Sequence, residues 1–142
     1  MGRAHLYIMS LIAVVWGLVV MAEYVLVAYG LRIGWLADYP PAQIEWLTTL
    51  PGWAHGAFGV WATLALVGAL CLAARVAAAA WMLGIAAIAQ GALTVWALLL
   101  AAPPVQTLTD GPVTAIALLT LALSLLLWAY ARGERRRAEG VL

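Results

Sequence analysis

Four side chains in otherwise apolar stretches have the types and spacing to do chemistry: Glu23, His55, Gln90 and Thr94. Glu23 sits within "VVWGLVVMAEYVLVAYG", residues 14–30, and His55 follows "LPGWA" at the start of a second apolar run. Gln90 and Thr94 lie one helical turn apart on a third run. A carboxylate at the centre of a membrane helix costs roughly 2.5–3.5 kcal/mol on insertion scales, so it is normally turned inward and paired. His55 or Gln90 is the expected partner, directly or through one water. This layer reads in three ways: a pocket sensitive to protons or cations, a Glu–His or Glu–Gln hydrogen bond that only fixes helix register, or Glu23 reaching toward the interface or Arg32.

Other chemistries lack their residues. Histidines 5 and 55 fall at opposite ends of their runs, separated by about a bilayer thickness, and cannot share one haem iron. The single cysteine, Cys71, excludes an intrachain disulfide and a cysteine-built metal site. There is no phosphate-cradling loop, zinc-ligand helix motif or nucleophile elbow. Ser124, in a leucine run, is expected to hydrogen-bond its own helix. No catalytic residue, metal ligand or cofactor is therefore assigned, and the chain is not expected to be an enzyme. The tail "ARGERRRAEG" is too short for a nucleic-acid domain and suits inner-leaflet lipid instead.

The elements that must position these residues are membrane helices. Apolar residues make up 67% of the chain and charged residues 9%, far from the balance of soluble domains. Four runs, about 7–30, 53–74, 77–101 and 113–131, are each long enough to cross a bilayer. Helices are the only reading, since backbone groups in lipid must be satisfied internally and the runs do not alternate as barrel strands do. A signal peptide cleaved before Glu23 is rejected because the apolar run continues to Gly30. The expected fold is an all-α integral membrane four-helix bundle, with residues 1–142 as one transmembrane domain.

Six arginines, at 3, 75, 132, 135, 136 and 137, fall on one side and only Arg32 on the other, so both termini are expected to be cytoplasmic. Glu23 then lies about 10 Å below the outer end of its helix. Residues 41–50 of the first outer loop, with Ile44, Leu47 and Leu50 at helical spacing, read as a short interfacial helix. Trp35, Trp46 and Trp53 are expected in the aromatic belt, with ligand stacking as the alternative.

Helices in lipid meet through small residues. Ala77, Ala80, Gly84, Ala87 and Gly91 recur at steps of three and four on the third span, while Gly52, Gly56, Gly59 and Thr63 form a stripe on the second. The two spans are joined by almost no loop, so these stripes, with Gly56, Gly59, Gly84 and Gly91 as packing residues, are expected to meet. Alternatively one stripe faces another protein.

Trp16-Gly17 followed by Tyr24, then "LPGWAHGAF" and the turn from Gly68 to Arg75, resembles a loose group of uncharacterised small four-helix bacterial inner-membrane proteins. The resemblance covers the first three spans and implies a bacterial inner-membrane location but no functional residue. The expected function is a non-catalytic accessory or stabilising partner of a larger membrane assembly. The alternative is a small homo-oligomeric carrier or channel for a proton, cation or small polar solute. Expected partners are the lipid bilayer and a membrane protein or further copies of this chain, with no nucleic acid.

Overall fold

The computed structural model describes residues 2–31, 33–101 and 113–138. Arg32, the loop 102–112 with Asp110, and the side chains of Arg3, Trp35 and Arg137 lie outside the described residues. The chain forms α1 (Gly2–Ala28), a 3-10 turn (Gly34–Asp38), α2 (Pro41–Thr48), α3 (Gly52–Ala73), α4 (Ala79–Val95), a π-helical segment (Trp96–Leu100) and α5 (Val113–Ala138). Four of these helical stretches, Ala4–Ala28, Gly52–Ala73, Ala79–Leu100 and Thr114–Arg136, are long and apolar enough to cross a membrane.

Helix boundaries differ from the sequence reading where local chemistry, not hydropathy, sets them. α5 continues past residue 131 to Ala138 because Ala, Arg and Glu in "ARGERRRA" are good helix formers and its arginines suit a helix C-terminus. The third span, read as continuous to residue 101, widens into the π segment, where Ala101 N–H donates to Trp96 O at 2.7 Å. α1 and α3 both end in a Schellman turn. In the first, Gly30 takes φ 63° and Leu31 N–H reaches Leu26 O. In the second, Arg75 takes φ 62°, Arg75 N–H reaches Leu72 O and Val76 N–H reaches Cys71 O.

α3 packs between α1 and α4, and α4 packs against α5. Consecutive spans run antiparallel, with Gly17 near Leu66, Gly68 near Met82, and Gly84 near Trp128. At the end where α1 starts and α5 finishes, all four long helices share a core of Leu6, Ala13, Ala69, Leu72, Leu83, Leu127 and Ala131. A hydrogen bond between His5 Nδ1 and Tyr130 Oη, with the rings edge to face at 5.5 Å, joins α1 to α5 there. At the opposite end the core is Val20, Val27, Ile44, Phe58 and Ala62. α2 lays its buried Ile44 and its Leu47 onto this second core, with Leu50 just beyond the helix joining them. Pro41 at the first turn supplies the fixed φ that starts α2.

The small-residue stripes do not meet as expected. A methyl at Gly56 would touch nothing, and one at Gly59 would meet Tyr24 of α1, 3.0 Å from its hydroxyl. One at Gly84 would meet the Trp128 indole of α5 at 2.9 Å, and one at Gly91 only Leu121 at 3.9 Å. Gly59 and Gly84 thus pack closely, but against side chains of α1 and α5; Gly17, whose methyl would lie 2.8 Å from Leu66 Cα, and Gly68, whose methyl would lie 3.0 Å from Met82 Cβ, make further close approaches. Every long helix is rich in small residues, so spacing alone does not say which of them faces which neighbour.

Candidate binding cavity

The α2 end of the bundle holds a cavity of about 160 Å³. Glu23 of α1 and Thr94 of α4 line it, together with Trp46 of α2, Phe58 and Trp61 of α3, and Trp96 of the π segment. Each wall has a local cause. The last α1 turns before Gly30 bring Glu23 to this level, and folding α2 back through Pro40-Pro41 carries Trp46 to the cavity wall. Widening the end of α4 to π geometry places Trp96, Ala97 and Leu98 on the cavity side, and π turns recur at functional sites.

The Glu23 carboxylate accepts a hydrogen bond from Tyr39 Oη at 2.8 Å. This is not the partner expected from the sequence. His55 lies instead against Tyr24, ring centroids 5.5 Å apart, and Gln90 bonds away from the cavity. Tyr39 escapes sequence reasoning because it sits outside the spans, sixteen residues after Glu23, where helical spacing carries no information. Of the four sequence candidates, the structure brings Glu23 and Thr94 to one cavity and leaves His55 and Gln90 off its lining.

Gln90, 1% exposed, organises a polar cluster between α4 and α5 that shares Thr94 with the cavity. Its Oε1 accepts from Ser124 Oγ, and its Nε2 donates to Thr120 Oγ1 at 3.4 Å. Thr94 Oγ1 donates to the Gln90 carbonyl at 2.7 Å. Ser124 thus bonds across to α4 and not to its own helix as expected, because a buried amide in apolar surroundings draws the nearest hydroxyl. This cluster joins α4 to α5 through side-chain hydrogen bonds.

Four aromatic and six aliphatic side chains form the remaining walls. Trp46 stacks on Trp96 at 5.4 Å and 25°, while Phe58 lies 5.6 Å from Trp61 and 5.2 Å from Tyr24. Trp46 is half-buried against the π segment, and Trp53 is exposed and meets Trp96 edge to face. The buried Trp61 indole N–H has no hydrogen-bond partner among the described residues. Also among the described residues, no three His, Cys, Asp or Glu side chains cluster as metal ligands.

A second concavity, about 650 Å³, lies between α4 and α5. The α4 stripe Ala80, Gly84, Ala87 and Gly91 forms one wall; Leu121, Leu125 and Trp128 form the other, with Arg132 and Arg135 at its end. Arg132 sits over the Trp128 ring at 5.6 Å. No protein-family model, curated protein or solved structure matches this chain.

Proposed function

We propose that this chain is a non-catalytic integral membrane protein that acts as an accessory or stabilising component of a larger membrane assembly. The observation that carries this reading is the open groove between α4 and α5. Small residues at steps of three and four let helix backbones approach closely, and lipid tails do not require them. Within the chain Ala80 and Ala87 are buried and Gly84 meets the Trp128 side chain, while that capacity goes unused at Gly91. α5 is also the span least covered by its own chain, with 17% of its apolar window buried. The occupant that fits is a transmembrane helix of another membrane protein.

Purification in mild detergent with mass determination tests this. A stoichiometric foreign membrane protein, lost on Gly91→Leu while the chain stays folded, is the expected result. A folded monomer carrying only lipid overturns the reading.

A second reading is favoured by the Glu23 cavity: a small homo-oligomeric carrier or channel for a proton, cation or small polar solute. A closed homo-oligomer in the same mass measurement supports it. For either reading we place the chain in a bacterial inner membrane with both termini cytoplasmic, supported by Arg75, Arg132, Arg135 and Arg136 lying at one end of the bundle. A reporter fused after Leu142 that is active only outside the cytoplasm overturns this orientation.

A further inference from the structure

The geometry points to the cavity lined by Glu23, Trp46, Phe58, Trp61 and Trp96 as a binding site for a small organic cation of the quaternary-ammonium class. This inference rests on the second reading above, that the cavity binds a solute, and names the chemistry of that solute.

The wall chemistry selects among ligand classes. A carboxylate disfavours anions. A hard metal ion needs six or more oxygens for calcium, or near-octahedral oxygen geometry for magnesium. The side-chain oxygens lining this cavity are those of the Glu23 carboxylate and the Thr94 hydroxyl, and the latter already donates to the Gln90 carbonyl. A sugar or other polyol requires many directional partners, and the walls are mostly aromatic and aliphatic. A neutral apolar molecule would cover the carboxylate without compensating it.

An alkylammonium ion satisfies both kinds of wall. Its positive charge complements Glu23, and its methyl groups present diffuse charge to the aromatic rings, the cation–π arrangement by which aromatic cages hold quaternary ammonium groups. Tyr39 engages one carboxylate oxygen and fixes the acid's position beside the cavity. Size agrees as well. A cavity of about 160 Å³ corresponds to about five liquid-water volumes, comparable to the five heavy atoms of tetramethylammonium and below the range of drug-sized pockets.

The test is a fluorescence titration of the purified full chain in detergent, using its own tryptophans. Three additives are compared: tetramethylammonium chloride, sodium chloride at equal ionic strength, and tert-butanol as a neutral molecule of similar shape. The expected result is a saturable response to tetramethylammonium alone, weakened at least tenfold by Glu23→Gln and by Trp96→Leu. Near-UV circular dichroism shows whether each variant is folded. A folded wild-type chain without saturable response, equal binding of tert-butanol, or unchanged binding by folded Glu23→Gln overturns the proposal. If Glu23→Gln fails to fold, the wild-type comparison of tetramethylammonium with tert-butanol decides alone. A monomer that binds tetramethylammonium keeps this site and removes the oligomeric carrier; a homo-oligomer that does not bind it removes only this site.

Discussion

Gly17 of α1 meets Leu66 of α3 backbone to backbone: a methyl on Gly17 would stand 2.8 Å from Leu66 Cα and 3.1 Å from the Ala65 carbonyl oxygen. Neither of those atoms can swing aside as a side chain would. The contact sets the separation of α1 and α3, and through it the distance from Glu23 to the aromatic wall carried by α3.

Gly17→Ala should therefore destabilise the bundle by about 1–3 kcal/mol, because overpacking outweighs the gain in helix propensity. Gly91→Ala, with its nearest neighbour at 3.9 Å, should be neutral or stabilising by up to about 1 kcal/mol. Unfolding of both variants in mixed micelles measures the difference. Equal stability would remove the backbone contact as the determinant.

Tyr39 and Glu23 should be energetically coupled. Tyr39→Phe leaves a half-buried carboxylate without its donor and should cost about 1–3 kcal/mol. Glu23→Gln retains an acceptor oxygen and should cost less. In a double-mutant cycle of Tyr39→Phe with Glu23→Leu, a coupling of about 0.5–3 kcal/mol is expected. A coupling indistinguishable from zero contradicts the hydrogen bond.

Ser124→Ala should weaken α4–α5 association by about 0.6 kcal/mol, the average for hydrogen bonds between membrane helices, and by no more than about 1.7 kcal/mol. The loss should vanish in a Gln90→Leu background, since the hydroxyl then has no amide to serve. Were the serine bonded only to its own helix, the loss would be the same in both backgrounds.

Arg75→Gly should stabilise the chain by about 1 kcal/mol. A left-handed residue ends α3, and a side chain in that conformation costs roughly 1–2 kcal/mol that glycine avoids. The gain would appear as a raised unfolding midpoint; a lowered one would mean that the arginine side chain contributes more than its backbone costs.

These particulars mark what the sequence can reveal. The four spans and the short helix at 41–48 follow from apolar run length and from Pro40-Pro41, which act locally. Gly30 announces the end of α1 by its residue type, whereas Arg75 makes the same turn with a residue that gives no such sign. Glu23 stood out because a charge in an apolar run is conspicuous. Its partner Tyr39 did not, because the hydrogen bond depends on how the segment after α1 folds back. The wrong pairing of glycine stripes has a related cause. Small residues mark every face of α3 and α4, and only the assembled bundle decides which are pressed together.

The π-helical segment has a consequence for how the chain can vary. Geometry with an i to i+5 bond holds one residue more than an α-turn of the same length, so removing a single residue, such as Leu99, would let the segment close into ordinary α-helix. Such a deletion would regularise the backbone while leaving the residues on either side of the segment in place, since the residue lost is the surplus one. Trp96, Ala97 and Leu98 would then follow the steps of about 100° of an α-helix and lose the wider turn that now lines the cavity. One codon thus separates a regular helix end from the widened turn on this cavity, and the widened form is the one this chain encodes.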